Sequence, residues 1–243
     1  MNHRINISDP TKAIPIPISG PVNVAGMEEI IRHPYFELLR HRRQLGWTMM
    51  DWPGGRHSRM EHCLGTLARI RKILARFQIP PSDPIYTAME VYALGHDIGH
   101  GPTCHELEYV LGHDHNIIGL ERLREMSDVI ATYTDPETVL DLFGNKKNPW
   151  RRLVKDKTIG ADKLDYLERD AHHIGYQIAL NLDRVINCLQ YFDGIFGVDE
   201  MAKDIIMTNQ QSFMWMYIYV YLHPRVKLFA RMYQRALTEA LRQ

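Results

Sequence analysis

A chain of 243 residues, 45% of them hydrophobic, can bury a large core, either as one domain of above-average size or as one domain with an appendage. Lysine plus arginine and aspartate plus glutamate each number 29, so no net field draws the surface to nucleic acid or to an anionic membrane. Three widely spaced cysteines without a CxxC pair argue against a secreted disulfide scaffold, and no apolar run approaches the roughly 18–20 residues that span a bilayer. The expected setting is cytoplasmic, with no membrane partner and nucleic acid disfavoured.

Residues 1–26 carry Pro10, Pro15, Pro17, Gly20, Pro21 and Gly26, which predict an extended N-terminal segment. Residues 27–243 read as a single, helical domain. Short helices are expected over Met27–Ile31 and Tyr35–Leu45, broken at Pro34. The turn Asp51-Trp-Pro-Gly-Gly55 precedes a long helix from about Arg59 to Phe77, with Met60, Leu64, Leu67, Ile70 and Leu74 on one apolar stripe. Pro80 and Pro81 end it, and Asp83-Pro84 supplies an N-cap and a first-turn proline for a helix through about Leu94. Further helices are expected over 103–111, 116–125, 135–143, 160–174 and 210–242. Strand character is confined to 184–207, where RVINCLQYFDGIFGV carries the hairpin signal Asp193-Gly194.

Thirteen histidines are present, and eight fall in four clusters: His62; His96, His100 and His105; His113 and His115; His172 and His173. Imidazole and carboxylate together suit a borderline divalent ion such as manganese, iron, cobalt, nickel or zinc. His96 and Asp97 are adjacent, and on a regular helix they would point about 100° apart. Both reach one ion only where the backbone leaves helical geometry, which the flanking Gly95 and Gly99 permit. Farther along, Asp162, Tyr166, Arg169 or Asp170, and His173 recur every three or four residues and share one helix face.

Several separated motifs share a pattern: HSRMEH from His57 to His62, GHDIGHG from Gly95, and DKLDYLERDAHHIG from Asp162. They resemble the HD-domain phosphohydrolases, and among these the deoxynucleoside triphosphate triphosphohydrolases of animals and bacteria. IIRHPYF from Ile30, LRHRRQLG from Leu39, PGGRHSR from Pro53 and VYLH from Val220 extend the resemblance over about residues 17–225. It implies an all-α fold, an HD-domain helical bundle with one small β-hairpin around 184–207.

The resemblance also implies a ligand set of His62, His96, Asp97 and Asp162 holding one divalent transition metal, with magnesium as a possible addition. Three ligand-bearing helices leave coordination positions open for water and a phosphate oxygen. The implied reaction is hydrolysis of a deoxynucleoside triphosphate to deoxynucleoside and triphosphate, with activated water attacking the α-phosphate. His105 matches the histidine placed to protonate or contact the bridging oxygen. Glu108 matches the carboxylate that orients a histidine, His115, because HNIIG places the small Gly119 four residues on. His100 corresponds to another phosphate-facing histidine, and His113 to an exposed loop position. For the substrate, Lys163, Tyr166 and Asp170 match nucleotide contacts, Arg59 a phosphate contact, Gln44 and Leu45 the deoxyribose edge, and Tyr221 the tyrosine that excludes ribose. A deoxynucleotide substrate and a homo-oligomer follow from the same resemblance.

Two departures stand out. Phe213 occupies the position of an arginine that grips the terminal phosphates. Arg32 stands where an acid reads guanine at an activator site, with Glu37 in place of an amide, although Arg40 matches; GTP activation is not implied. The alternatives are therefore an HD phosphohydrolase acting on a nucleoside monophosphate or signalling nucleotide, and a non-catalytic nucleotide sensor.

Overall fold

The computed structural model describes residues 12–103 and 105–242; residues 1–11 of the expected extended N-terminal segment, Cys104 and Gln243 lie outside the described residues. Two small antiparallel sheets accompany the helices. β1 (Ala13–Ile16) pairs with β2 (Gly20–Asn23), and β3 (Leu189–Phe192) pairs with β4 (Ile195–Val198). The helices are α1 (Glu28–Arg32), α2 (Pro34–Glu37), α3 (Arg59–Arg76), α4 (Pro84–Gly95), α5 (His105–Leu111), α6 (His115–Glu125) and α7 (Ser127–Ile130). They continue with α8 (Pro136–Gly144), α9 (Arg152–Lys155), α10 (Ala161–Ile174), α11 (Leu182–Asn187), α12 (Lys203–Met216) and α13 (Pro224–Ala240).

The helical fold and the β3–β4 hairpin at Asp193-Gly194 agree with the sequence, and both turn residues adopt positive φ. Four local expectations differ. The helix expected over Tyr35–Leu45 is short: Pro34 is its first residue, α2 ends at Glu37, and one 3-10 turn over Leu38–His41 follows. The N-terminal segment is not only extended: Pro17 to Gly20 turn it back on itself, and β1 and β2 form a second hairpin, with prolines on two-stranded edges where a missing N–H costs nothing. The single helix expected over 210–242 is interrupted by a π-helical turn at Tyr217–Tyr221, and it restarts at Pro224, which serves as a first-turn residue. Part of the strand-like 184–207 segment is helical, in α11.

α3, α4 and α10 are the frame. α3 starts at a capping box in which the Ser58 side chain accepts from Glu61 N–H and the Glu61 carboxylate accepts from Ser58 N–H. Its stripe of Met60, Leu64, Leu67, Ile70 and Leu74 is buried, each side chain adding roughly 1.5–3 kcal/mol on transfer from water. α4 is buried all round from Ala88 to Gly95, which explains its continuous apolar sequence. Asp83 caps its first turn by accepting from Ile85 N–H.

α10 crosses α3 so closely that Gly65 has no room for a side chain: a Cβ there would overlap the Asp165 carboxylate and the Arg169 guanidinium. We predict that Gly65→Ala destabilises the protein by about 1–3 kcal/mol in urea denaturation. Gly144→Ala, whose Cβ would meet only Leu120 at 3.8 Å, should be neutral or stabilising by up to about 1 kcal/mol.

Candidate metal centre and cleft

The end of α4, the start of α3 and the start of α10 bring three ligands together. His62 Nε2 lies 3.1 Å from His96 Nε2 and 3.1 Å from Asp162 Oδ1, and His96 Nε2 lies 3.6 Å from the same carboxylate oxygen. Asp97 stands slightly outside this trio, with oxygens 3.5 Å from His96 Nε2 and 3.7 Å from His62 Nε2. Its carboxylate also accepts from Arg59 Nη1 at 2.5 Å and from Lys155 Nζ at 3.2 Å. After Gly95 the chain tightens into successive turns, Ile98 N–H to Gly95 C=O and His100 N–H to Asp97 C=O, and these turns let neighbouring residues face one point. Neither Gly95 nor Gly99 takes a positive φ. They are required instead for close approach: a Cβ on Gly95 would press on Leu123, and one on Gly99 would overlap the His115 carbonyl and Gly119.

The donor set fits a divalent cation. His62 Nδ1 is committed to Asp165 Oδ2 at 2.9 Å, and His96 Nδ1 to the Ala93 carbonyl at 2.7 Å. Both acceptors require a proton on Nδ1, so both Nε2 atoms turn lone pairs toward each other and toward Asp162. Two lone pairs and a carboxylate converging in a buried space repel unless a cation lies among them. Without one, burial disfavours a charged His62, but hydrogen bonds to Asp162 and Asp165 outweigh it and lift its pKa to about 9. Burial likewise opposes ionisation of Asp97 and Asp162. The neighbouring cations prevail and hold both well below the usual carboxylate range.

A cleft of about 530 Å³ opens over this centre. Gln44, Leu45, Arg59, Asp97, His100, His105, His115, Asp162, Tyr166, Asp170 and Tyr221 all line it, and so does Phe213. His62 and His96 lie beneath its floor, with 0% and 1% of their surface exposed. Glu108 stands behind the histidines on one side. It accepts from His115 Nδ1 at 3.0 Å and lies 3.3 Å from His105 Nδ1 and 3.5 Å from His100 Nδ1, while the His100 and His115 rings stack at 3.9 Å. Burial raises the Glu108 pKa, but the imidazoles reverse the effect and hold the carboxyl at about 2. His113 is exposed and outside this group. On the opposite side Asp162, Tyr166 and Asp170 follow one face of α10, and Tyr221 O–H donates to Asp170 Oδ2 at 2.7 Å.

Lys163 is the residue that the structure turns away from the cleft. Its Nζ donates to Gln210 Oε1 at 3.0 Å and lies 3.9 Å over the Phe213 ring. Two residues without a role in the sequence reading enter instead. Lys155, on the short α9, donates to Asp162 Oδ2 at 2.8 Å as well as to Asp97, and it lines the cleft. Asp165, quoted within a motif but given no task, orients His62 and accepts from Arg169 Nε and Nη2, both at 2.9 Å. Its position three residues after Asp162 is the signal that could have found it, since that spacing reaches the neighbouring side of the helix. Arg40 is paired with Glu37 at 2.9 Å on the surface.

Residues 59–184, about half of the chain, match the HD domain, and the chain belongs to the HD domain family. An uncharacterised protein of Methanocaldococcus jannaschii is 30% identical over 225 residues, covering 88% of this chain and 46% of that protein. Deoxynucleoside triphosphate triphosphohydrolase SAMHD1 of Bos taurus is 27% identical over 274 residues, 94% of this chain and 45% of that enzyme. The crystal structure of a phosphohydrolase from Bacteroides thetaiotaomicron superposes with a TM-score of 0.86 at 27% identity, over 94% of this chain and 59% of that one. The chain thus spans about half the length of the curated relatives it matches. Among the described residues no helix is long and apolar enough to cross a membrane.

Replacing Asp165 by Asn leaves every candidate ligand in place but exchanges the carboxylate shared by His62 and Arg169 for a neutral amide with a single acceptor oxygen, which weakens the hold on the His62 tautomer. Its affinity for manganese, measured by calorimetry, should fall about 10- to 100-fold. Burial opposes ionisation of Asp165, but His62 and Arg169 hold its pKa at about 2. The stability contributed by this depressed carboxylate is complete above its ordinary pKa, about 3.9, and is lost as pH falls toward 2. Asp165→Asn should therefore flatten the acid limb of the stability profile between about pH 4 and pH 2.

Proposed function

We propose that the protein is a metal-dependent phosphohydrolase that cleaves a deoxynucleoside triphosphate to deoxynucleoside and triphosphate. The observation that carries this reading is the face of α10, along which the candidate ligand Asp162, then Tyr166, then Asp170 line the cleft up to Tyr221. A hydrolase needs its ion at one end of the substrate, and a nucleoside-selective hydrolase needs hydroxyl and ring contacts at the other. The likeness to SAMHD1 of Bos taurus, whose name states that activity, supports the same reading.

His62, His96, Asp97 and Asp162 would hold a divalent ion, which would supply positive charge at the α-phosphate and acidify water there. The chain's own groups supply the remainder. Arg59 and Lys155 flank the carboxylates and face the phosphate side of the cleft. As the water oxygen bonds to the α-phosphorus, the bond from phosphorus to the 5′ oxygen breaks, and that oxygen needs a proton. His105 stands at the cleft wall to provide it, with Glu108 as a fixed negative partner and His115 beside it. Tyr221 and Asp170 receive the sugar, with Gln44 and Leu45 along the deoxyribose edge.

One observation favours a second reading, a phosphohydrolase with a less highly charged substrate such as a nucleoside monophosphate. Phe213 lines the cleft at the position where the resemblance implies a phosphate-gripping arginine, and Lys163 and Lys227, which could have supplied that charge, are engaged. Lys163 is held over the Phe213 ring, and Lys227 lies 3.5 Å from Glu106.

Purified protein with manganese should be incubated with a mixture of the four deoxynucleoside triphosphates, and the products resolved by chromatography. Deoxynucleoside and intact triphosphate are expected. Release of monophosphate with pyrophosphate, or no turnover of any of the four, sinks the triphosphohydrolase reading; cleavage of deoxynucleoside monophosphates in its place supports the second. Phe213→Arg should lower KM for a triphosphate several-fold, on the order of 1 kcal/mol from one added charge-assisted contact, and leave KM for a monophosphate unchanged.

A further inference from the structure

We propose that His57, which does not line the cleft, is a positioning residue for substrate specificity: it fixes the Asp170 carboxylate, together with Tyr221, as an acceptor for a sugar hydroxyl. The inference rests on the nucleotide reading above and adds to it the group that sets the sugar end of the site.

His57 lies in the turn between Pro53 and the start of α3, and its side chain is fully buried behind Asp170. Its Nε2 is 2.9 Å from Asp170 Oδ1, while Tyr221 O–H donates to Asp170 Oδ2 at 2.7 Å. A carboxylate has about four lone-pair sites. One donor on each oxygen pins its plane and leaves the remaining sites free on a residue that lines the cleft. Asp170 cannot rotate away without losing both bonds, so a ligand hydroxyl meets an acceptor whose orientation is already set.

Packing alone gives no account of His57. Among the described residues its second ring nitrogen, Nδ1, is buried without a hydrogen-bond partner, an arrangement that an apolar side chain of similar size would avoid. Asp170 is the hydrogen-bond partner of the ring, and that partner reaches the cleft. The turn is held for this contact. His57 stacks on His173 at 4.3 Å with an interplanar angle of 15°, and Gly54 passes so close to the His173 carbonyl that a Cβ would overlap it. Burial, with the adjacent His57, lowers the His173 pKa to about 4, so the stacked neighbour stays neutral at physiological pH.

The test compares His57→Phe, which keeps the stack and removes the donor, with His57→Gln, which returns an N–H at the reach of Nε2. Steady-state kinetics are measured with a 2′-deoxynucleoside triphosphate and with its 2′,3′-dideoxy analogue, alongside metal content. His57→Phe should raise KM for the deoxynucleotide about tenfold, the scale of a hydrogen bond to a charged group, with kcat and bound metal little changed. His57→Gln should recover most of the loss, and neither variant should alter KM for the dideoxy analogue, which lacks the hydroxyl. An unchanged KM in His57→Phe, or equal losses on both nucleotides, overturns the proposal. Should His57→Phe fail to fold, His57→Asn withdraws the donor from reach and reads the same KM. If no triphosphate is turned over, the triphosphohydrolase reading fails by itself. The affinity of the holoprotein for a 2′-deoxynucleoside against its 2′,3′-dideoxy analogue then decides the role of His57 by the same tenfold criterion.

Discussion

The carboxylate of Asp165 is the point on which fold and site both depend. It is completely buried and accepts from an imidazole on α3 and from a guanidinium one turn farther along α10. That guanidinium continues outward to the Pro17 carbonyl and the Ser19 hydroxyl, so the β1–β2 turn is tied to the same group. Burying such charges costs several kcal/mol for each ion, and an apolar substitute would often be as stable. What an apolar group could not do is hold a proton on His62 Nδ1 and so turn the Nε2 lone pair toward Asp162 and His96. The close approach at Gly65 follows from the same demand, because α3 and α10 must come near enough for this hydrogen bond.

Much of the frame was legible from local chemistry. The apolar sequence of α4, the Asp83-Pro84 start, the stripe on α3 and the Asp193-Gly194 turn each carry their cause in a few adjacent residues. The break at Tyr217–Tyr221 was not legible, since nothing in YIYVY opposes a helix; Pro224 was the visible part of the signal. The β1–β2 hairpin was hidden because prolines suit an extended chain and a two-stranded edge equally well. For Gly95 and Gly99 the conformational argument was the wrong one. Their smallness serves contacts with Leu123 and Gly119 on another helix, and that partner is unknowable before the helices are packed.

The candidate site divides in the same way. His62, His96, Asp97 and Asp162 were readable because histidine and aspartate in buried surroundings have few other uses, and because the motifs around them resemble a known family. Lys155 and His57 were not, since a lysine on a short helix and a histidine in a turn are ordinary until three-dimensional neighbours are known. Charge accounts for what Lys155 contributes. Asp97, Asp162 and Asp170 face one cleft, and unrelieved they would repel a phosphate. Arg59 and Lys155 sit against the two nearest the candidate metal centre, so a phosphate arriving there meets a mixed rather than a negative surface.

That placement of charge makes α10 the element that orders the cleft. Asp162 and Asp170 are eight residues apart on one face, about 12 Å along the helix axis. The first belongs to the candidate metal centre and is neutralised by Lys155; the second is held by His57 and Tyr221. On the proposed reading, a ligand that spans the two is anionic at the metal end and a hydrogen-bond donor at the other, as a nucleotide lying along the helix would be. Because both carboxylates ride on one rigid helix anchored by Asp165 and Arg169, their separation is set by helix geometry, and loop motion does not alter it. Phe213 lines this same cleft from α12 and adds apolar surface without charge. On the proposed reading, selectivity for the length of a phosphate tail would then be left to whatever a bound ion, Arg59, Lys155 and the histidines can neutralise.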